Sequence, residues 1–307
     1  MKYIIGHKNP DTDTICSAIA YQKFLEKNGV KSKALALGDL NNETKFVLDI
    51  FEVAYPEKVN KLPRGAEIIL LDHNEESQSI DNINDLDIVE IIDHHKIKLA
   101  TDKPISIYIK PLGSSCSIIA EKYFDSNINI SKKIASILIA GIISDTLFFR
   151  SPTTTDIDKK LVYELNKIAK IDDLENFSLR MFDAKSDLGD IETEELIKLD
   201  YKVFNFGGRD YGIGVMETTN KEFAFKRKEE IISKLKEIKN NENLEGIFFV
   251  VIDILSEKSW TFYPDQFCKN LFKKVFNAKE EGKSLFVDKL VSRKKQIVPK
   301  LENCLKK

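Results

Sequence analysis

The 307-residue chain is poor in the features that build disulfide frameworks, zinc knuckles and membrane spans. Its four cysteines stand far apart and form no CxxC pair, so neither a disulfide framework nor a structural zinc site is indicated. No apolar run approaches the roughly 18 residues that cross a bilayer. The first residues show no basic segment followed by an apolar stretch, so no signal peptide is predicted. Isolated thiols fit a reducing compartment, and we expect a soluble, cytoplasmic protein.

The chain also lacks an excess of positive charge. Its formal net charge is −2 at pH 7, with 47 Lys and Arg against 49 Asp and Glu. Proteins that bind nucleic acids or membrane surfaces are usually basic, so we expect neither kind of partner, although this balance allows a local basic patch. Hydrophobic residues make up 42% of the chain, which supports a folded core, and the length favours two domains.

Short apolar runs alternate with amphipathic segments over the first half of the chain. The runs predict strands at 3–5, 34–37, 67–71, 88–92 and 106–109, and the amphipathic segments predict helices at 14–28, 117–123 and 131–143. Because the runs are apolar on both faces and helices separate them, we expect an α/β domain with a parallel sheet covered by helices.

The pattern changes near a short polar connector at 187–190. Beyond it, the sequence predicts strands at 202–206, 211–216 and 246–252, a hairpin turn at 207–210, and helices at 222–239 and 264–277. We therefore predict two domains, an N-terminal α/β domain at 1–188 and a smaller α/β domain with a mixed sheet at 189–307.

Histidine is scarce, and its distribution is informative. The four histidines follow three predicted strands: His7 after the first, His73 after 67–71, and His94 with His95 after 88–92. The carboxyl ends of parallel strands form one edge of a sheet, where ligands bind. We therefore expect these side chains to meet at one rim.

Carboxylates accompany the histidines at Asp11, Asp13, Asp72 and Asp145. Imidazole and carboxylate ligands without a thiolate suit Mn²⁺ or Co²⁺ better than a structural Zn²⁺. Asp11 and Asp13 flank a single residue, so they can point to opposite sides of a loop and serve two ions about 3.5–4 Å apart. Because four negative charges match two divalent cations, the pattern predicts a two-metal site.

Each of these residues has a simpler interpretation when taken alone. Either Asp11 or Thr12 could cap a helix that starts near Thr14. The triplet at 93–95 is compatible with a partly buried polar turn, and Cys16 is best interpreted as a small residue on a buried helix face. Capping and burial explain single residues but not the whole set, which favours the metal site.

Six stretches of the chain match a known family. They are GHKNPDTDTICSA at 6–18, LDHNE at 71–75, IIDHHK at 91–96, PLGSSCSIIAE at 111–121, GIISDTLFFRSPTTT at 141–155 and SRKKQIVP at 292–299. The chain resembles the DHH phosphoesterase superfamily, named for Asp93-His94-His95, and more closely the family II manganese-dependent inorganic pyrophosphatases. The N-terminal stretches are shared with nuclease relatives, so the stretch at 292–299 distinguishes the pyrophosphatases.

The resemblance implies a set of metal ligands: His7, Asp11, Asp13, Asp72, His94 and Asp145. Asp72 would bridge two Mn²⁺ ions, with His7 and Asp11 on one ion and the remaining three ligands on the other. Co²⁺ would substitute for Mn²⁺, and Mg²⁺ would arrive with the substrate.

The resemblance also implies substrate-binding residues and an assembly. His95 would face the phosphate of pyrophosphate, and Lys202, Arg293 and Lys294 would bind it from the second domain, with the active site in the cleft between the domains. Lys198 is the alternative to Lys202. A homodimer through the edge of the N-terminal sheet is implied as well.

The sequence argues against two alternatives to pyrophosphate hydrolysis. A DHH phosphodiesterase acting on short oligonucleotides or nucleotides usually carries a glycine-rich GGGH-type motif, but here Gly207-Gly208 is followed by Arg209-Asp210, and no histidine follows His95. A non-catalytic metal or nucleotide sensor would be expected to have lost ligands, and none is lost. Taken by itself, the basic run after Ser292 would be interpreted as a solvated tail.

Overall fold

The computed structural model describes residues 1–101, 103–187 and 189–305. Its internal contacts divide the chain into two compact units, Met1–Lys185 and Ser186–Lys307. Leu188, where the sequence places the domain boundary, lies outside the described residues. Among the helices described, none combines the length and the apolar character needed to cross a membrane.

The N-terminal unit contains a six-stranded sheet in the order β3-β2-β1-β4-β5-β6. Its strands are β1 Lys2–Ile5, β2 Ser32–Ala36, β3 Glu57–Lys58, β4 Glu67–Leu71, β5 Asp87–Asp93 and β6 Ser106–Ile109. Every pairing in this sheet is parallel, which confirms the prediction. The two-residue strand β3 was not predicted, because its residues are charged and exposed.

Six helices accompany this sheet. They are α1 Thr12–Lys27, α2 Asn42–Ile50, α3 Ser115–Asp125, α4 Lys132–Thr146, α5 Asp156–Ala169 and α6 Leu174–Ser186. Helix α1 begins earlier than predicted, because Oδ1 of Asp11 caps it by accepting a hydrogen bond from the Thr14 amide at 2.9 Å. Helices α2, α5 and α6 were not predicted, although Thr155 and Asp158 form a capping box at the start of α5.

Helix α4 lies against α1, α3 and α5 and forms the centre of the unit. Residues 134–144 of this helix are all buried, so it is apolar on every side rather than amphipathic. Each of its buried isoleucines contributes about 1.5–3 kcal/mol relative to an exposed one. The last turn of α4, which carries Asp145, is therefore held on a rigid element.

The C-terminal unit has a second six-stranded sheet in the order β11-β12-β10-β9-β8-β7. Its elements are α7 Thr193–Lys198, β7 Tyr201–Phe206, β8 Arg209–Thr218, α8 Glu222–Lys226, α9 Lys228–Asn241, β9 Gly246–Asp253, β10 Lys258–Phe262, α10 Gln266–Phe276, β11 Lys279–Glu281, β12 Ser284–Asp288 and α11 Val298–Leu305. Of the described strands, β8 and β9 pair in parallel and the other neighbours are antiparallel, so the predicted mixed sheet is confirmed.

Strand β9 explains how this sheet is covered on both faces. Phe248 and Val250 pack into one hydrophobic cluster, and Phe249 and Val251 pack into another. Successive side chains of a strand point to opposite faces, so these two clusters lie on opposite sides of the sheet. The strand is accordingly a continuous apolar run, as in other strands that are buried on both sides.

Two local predictions in this unit had different outcomes. The hairpin turn between β7 and β8 is confirmed, and Gly207 and Gly208 take φ values of 61° and 82°, which favour glycine. The single helix predicted at 222–239 is wrong, because it is divided into α8 and α9 at Arg227. The guanidinium of Arg227 donates to the carbonyl of Ile191 at 2.7 Å and to Oγ1 of Thr193, which anchors the break.

Candidate metal centre

Three neighbouring strands deliver side chains to one rim of the N-terminal sheet. His7 lies two residues beyond β1, Asp72 follows β4 directly, and His94 follows β5 directly. Because β1, β4 and β5 are adjacent and parallel, the three side chains converge at the carboxyl edge of the sheet. The structure therefore brings these residues together as the sequence predicted.

Helices supply the remaining predicted ligands. Asp11 caps α1, Asp13 lies in its first turn, and Asp145 lies in the last turn of α4. Close approach of α4 depends on Gly141, since a Cβ there would lie 2.3 Å from the sulfur of Cys116 and 3.0 Å from Oδ1 of Asp13. A larger residue at 141 would push α4, and with it Asp145, away from the rim.

Three candidate ligand clusters lie among the described residues, and one of them joins Asp72 and His94 with His95. The other two contain only predicted ligands, and the first of these joins His7, Asp11 and Asp72. Nε2 of His7 lies 3.5 Å from Oδ2 of Asp11 and 3.5 Å from Oδ2 of Asp72. Neighbouring ligand atoms of an octahedral ion lie about 3 Å apart when each is about 2.1 Å from the metal. The three side chains are therefore spaced to share one divalent cation.

The second cluster joins Asp13, Asp72, His94 and Asp145. Nε2 of His94 lies 3.3 Å from Oδ1 of Asp72 and 3.5 Å from Oδ2 of Asp145. Asp72 is common to both clusters, with Oδ2 beside His7 and Oδ1 beside His94. One carboxylate thus offers an oxygen to each of two ion positions, which is the geometry required of a bridging ligand.

Asp72 is held in an unusual backbone conformation. Its φ of 64° lies in the left-handed region, which residues other than glycine rarely adopt, although Asp and Asn tolerate it better than most. Thr14 Oγ1 donates to Oδ2, and Ser115 Oγ donates to Oδ1 at 2.9 Å. These two hydroxyl groups fix the carboxylate plane between the clusters.

Asp13 is fully buried and is held by the N-terminus of α3. Its Oδ1 accepts from Ser114 Oγ at 2.5 Å and from the Cys116 amide at 2.9 Å, and its Oδ2 accepts from the Ser115 amide at 2.6 Å. A helix N-terminus favours negative charge, which suits this carboxylate. Sequence reasoning assigned no role to the serines, and the signal for them was a Ser pair before an apolar helical segment.

His94 provides a test of whether these residues fit a metal. Its Nδ1–H donates to the carbonyl of Leu112 at 3.0 Å, so Nε2 is the nitrogen left to bind a metal. Nε2 is buried and makes no hydrogen bond within the described part of the chain. A buried polar atom without a partner costs about 1–3 kcal/mol. Nitrogen and carboxylate oxygen donors without thiolate fit Mn²⁺-type ions, and a metal would give this nitrogen its partner.

Two carboxylates of the second cluster, Asp13 and Asp145, lie among other negative charges, and their pKa values are raised. Burial, together with the charge of Asp72, raises the pKa of Asp13 to about 7. Burial and the charges of Asp13 and Asp11 raise the pKa of Asp145 well above its usual range. Divalent cations would relieve this repulsion, so the electrostatics also fit a metal centre.

The pKa values of the two ligand histidines are raised, although burial alone would lower them. Burial lowers the pKa of His7, but the carboxylates of Asp11 and Asp72 outweigh it and raise this pKa to about 10. For His94, burial is likewise outweighed by Asp72, and the pKa is raised to about 9. Since a ligating imidazole must be neutral, metal binding has to displace these protons.

His95 is held differently from its neighbour. Its side chain is 56% exposed, and its Nδ1 lies 2.9 Å from Oδ1 of Asp93. Asp93 is fully buried and also accepts from the His94 and His95 amides and from Asn74. The Asp93 contact raises the pKa of His95. Asp93 therefore orients His95, a role that sequence reasoning did not assign.

Glu43 supports the ligands from behind and was not singled out from the sequence. It is completely buried in α2, and its Oε2 accepts from Thr12 Oγ1 at 2.9 Å and from Ser144 Oγ at 2.8 Å. Thr12 stands between the two predicted ligands of α1, and Ser144 precedes Asp145. Glu43 thus connects the two helices that carry three of the predicted ligands.

A cavity of about 860 Å³ opens over these residues. It lies on the N-terminal unit and is lined by His7, Asn9, Asp11, Asp72, His73, Asn74, Glu75, Gln78, His94, His95, Lys96 and Asp145. His73 is buried, and its Nδ1 donates to the carbonyl of Leu71 at 3.1 Å. Such a volume admits a small anionic substrate together with metal ions.

The predicted substrate-binding cations of the C-terminal unit lie on β7 and in the segment before α11. Lys202 is exposed and, among the described residues, has no carboxylate within 4.0 Å. Lys198, the alternative, forms ion pairs with Glu194 at 2.9 Å and Glu242 at 3.1 Å. Of the two lysines, Lys202 is therefore the one whose charge is not paired with a carboxylate. Arg293 lies in a single π-helical turn over Arg293–Ile297.

The two units match two families of protein domain. Residues 2–142 match the DHH family, N-terminal domain, and residues 179–304 match the DHHA2 domain. The parallel sheet with His and Asp at its carboxyl edge belongs to the first match, and the mixed sheet belongs to the second. Fold and site therefore define a two-domain protein of the DHH class.

Similarity to whole proteins narrows this class. The chain is 43% identical to the manganese-dependent inorganic pyrophosphatase of Methanocaldococcus jannaschii and 37% identical to that of Bacillus subtilis, with 98% of each chain covered in both comparisons. A crystal structure assigned to a family II inorganic pyrophosphatase from Methanococcus jannaschii is 42% identical, with a TM-score of 0.66 over 100% of both chains. The chain belongs to the family II manganese-dependent inorganic pyrophosphatases.

Proposed function

We propose that the chain hydrolyses inorganic pyrophosphate to two phosphates at a centre that holds two divalent cations. The observation that carries the proposal is the position of Asp72, whose two oxygens lie beside His7 and His94 in separate clusters. Membership of the pyrophosphatase family supports the choice of substrate.

Six residues would hold the ions: His7 and Asp11 on one, Asp13, His94 and Asp145 on the other, and Asp72 between them. When bound, the two cations supply a lowered pKa for the attacking water and positive charge for the phosphoryl oxygens. The protein's share is to fix these ligands, which Ser114, Ser115 and Glu43 support through hydrogen bonds.

The substrate would be bound by four further residues. His95 is oriented by Asp93 and would contact a phosphoryl oxygen near the metals. Lys202, Arg293 and Lys294 would neutralise the charge that develops on the leaving phosphate, since charge-assisted hydrogen bonds to phosphate are stronger than neutral ones.

Further features of the proposal concern the ions, the assembly and the location. The nitrogen and oxygen donor set supports Mn²⁺, with Co²⁺ as a substitute. The family resemblance implies two such ions per subunit and a Mg²⁺ that enters on the substrate. Strand β6 is an edge strand, and Ile107 on it is 48% exposed, which supports a homodimer through this edge. A cytoplasmic location stays a prediction from the isolated cysteines.

The test compares two substrates on one preparation. Mn²⁺-loaded protein should release phosphate from pyrophosphate and leave a dinucleotide and a short RNA intact. Preferential cleavage of the dinucleotide or RNA would replace the proposal with the phosphodiesterase alternative. Metal-free protein serves as the control for contaminating hydrolases.

A further inference from the structure

The guanidinium of Arg293 makes its two shortest hydrogen bonds to Asp200, the residue just before β7. Nη1 donates to the backbone carbonyl of Asp200 at 2.6 Å, and Nη2 donates to its carboxylate Oδ1 at 2.5 Å. The two residues are 93 positions apart in the sequence. The Arg293 side chain is 13% exposed and that of Asp200 is 56% exposed, so most of the arginine side chain is buried and the aspartate is open to solvent.

This contact places Arg293 at the position of Lys202 in the sheet. Nη1 of Arg293 also lies 3.4 Å from the carbonyl of Ile213. Ile213 is the antiparallel partner of Lys202 in the pairing of β7 with β8. Two cations from distant parts of the chain are therefore gathered at one register position of the C-terminal sheet.

The contact also leaves one edge of the guanidinium unoccupied. A guanidinium has five N–H donors. Asp200 occupies the end formed by Nη1 and Nη2. Over residues 1–101, 103–187 and 189–305, Nε of Arg293 has no hydrogen-bond partner. The edge formed by Nε and the second N–H of Nη2 matches two phosphoryl oxygens in a bidentate contact.

We infer that Asp200 is a positioning residue for phosphate binding, which fixes Arg293 beside Lys202 with its Nε edge open to a phosphoryl group. This inference rests on the proposed function. Arg has a long side chain, and fixing it before binding removes part of the entropy cost of binding. The negative charge of Asp200 opposes phosphate, so the benefit is orientation and not charge.

Those two effects have opposite signs, which makes the inference testable. Removing Asp200 weakens pyrophosphate binding if orientation dominates and tightens it if repulsion dominates. The steady-state kcat and KM for pyrophosphate should be measured on the Mn²⁺-loaded full chain for Asp200→Ala, Asp200→Asn, Arg293→Ala and the double variant Asp200→Ala with Arg293→Ala. Asp288→Asn is the matched control, since Asp288 is an exposed carboxylate on β12. In the sheet order, β10, β9 and β8 separate β12 from β7.

We expect Asp200→Ala to raise KM about tenfold, since a hydrogen bond to a charged group is lost. Asp200→Asn should retain most of the affinity, because its amide oxygen still accepts from Nη2. Mn²⁺ affinity should equal that of the wild type in both variants, and Asp288→Asn should match the wild type throughout. In the Arg293→Ala background, Asp200→Ala should have no further effect, since its action passes through the arginine.

The outcomes separate this inference from the proposed function. If the wild-type protein has no pyrophosphatase activity, both the proposed function and the positioning role of Asp200 are rejected. An active wild type with an unchanged or lower KM in Asp200→Ala overturns the positioning role alone, and so do additive effects in the double variant. If Asp200→Ala fails to fold, Asp200→Ser gives the same readout with a small polar side chain.

Discussion

Replacement of Asp72 by asparagine is the sharpest perturbation of the two-metal centre. Asparagine has the same shape, tolerates the φ of 64°, and can still accept a hydrogen bond from Thr14 or Ser115. Alanine would add strain of order 1–3 kcal/mol from the left-handed backbone, and its effects on folding and on metal binding would be mixed. Asp72→Asn therefore removes the charge and one ligand oxygen with little change in shape.

The expected size of the effect follows from the position of Asp72 in both clusters. Loss of a partner that only orients a ligand weakens metal binding by about 10–100-fold. Loss of a shared ligand should exceed this, so we expect at least about 100-fold weaker Mn²⁺ binding in each cluster. Phosphate release should fall by about 10³-fold or more, comparable with the removal of a direct transition-state contact.

The assay combines equilibrium dialysis against Mn²⁺, metal analysis and phosphate release, with thermal unfolding to verify the fold. Asp39→Asn is the matched control, because Asp39 is 87% exposed and pairs with Lys58 outside both clusters. The control should bind two Mn²⁺ and turn over normally. If Asp72→Asn also binds two Mn²⁺ and keeps near-normal turnover, Asp72 is not the bridge.

Three further predictions concern the same centre. The rise in Tm produced by Mn²⁺ should grow from pH 6.5 to 8.5, because His7 and His94, with pKa values of about 10 and about 9, must lose protons to bind metal. Both pKa values lie above the value in the unfolded chain, so the stability of the metal-free protein falls over the same pH range. A Tm difference between Mn²⁺-loaded and chelator-treated protein that stays constant with pH would contradict the prediction. Glu43→Ala should weaken Mn²⁺ binding by about 10–100-fold, while Glu43→Gln, which keeps an acceptor oxygen, should not. If Glu43→Ala binds Mn²⁺ as tightly as the wild type in metal titrations, Glu43 does not support the ligands. His94→Ala should lose metal, whereas His95→Ala should keep its metal and lose turnover; equal metal loss in both would reject this division of roles.

The rim of the site could be predicted because strand ends leave a simple sequence signal. Apolar runs identify buried strands, and a parallel sheet requires their carboxyl ends to meet. Polar residues directly after such runs, at His7, Asp72 and His94, therefore had to share one edge. The sequence pattern predicts the positions of the ligands on helices less directly. Their distance from the rim depends on how closely α4 packs, which in turn depends on the space left by Gly141.

The supporting residues could not be predicted, because their partners are distant in the sequence. Ser114 and Ser115 contact carboxylates 101 and 43 residues away, and Glu43 contacts Ser144 across 101 residues. A buried glutamate in an amphipathic helix looks like a surface residue until the packing of the helix is known. The αL conformation of Asp72 has no sequence signature either.

The missed strands of the C-terminal unit have a different cause. Strand β10 alternates the polar residues Ser259 and Thr261 with Trp260 and Phe262, which is the pattern of a half-buried strand, yet all four residues are buried. Strand β11 is three exposed charged residues. Strand β12 was not predicted either, and it pairs with both of them, while β10 also pairs with β9. Such pairing is a tertiary effect that overrides local propensity.

The central claim is that two cations share Asp72 and act together on pyrophosphate. Its most direct test is to strip the protein with a chelator, add Mn²⁺ in steps from zero to three equivalents per chain, and measure bound metal and phosphate release at each step. Two ions should bind per chain, and full activity should require the second. Maximal activity with one bound ion, or two bound ions without phosphate release from pyrophosphate, would contradict the account.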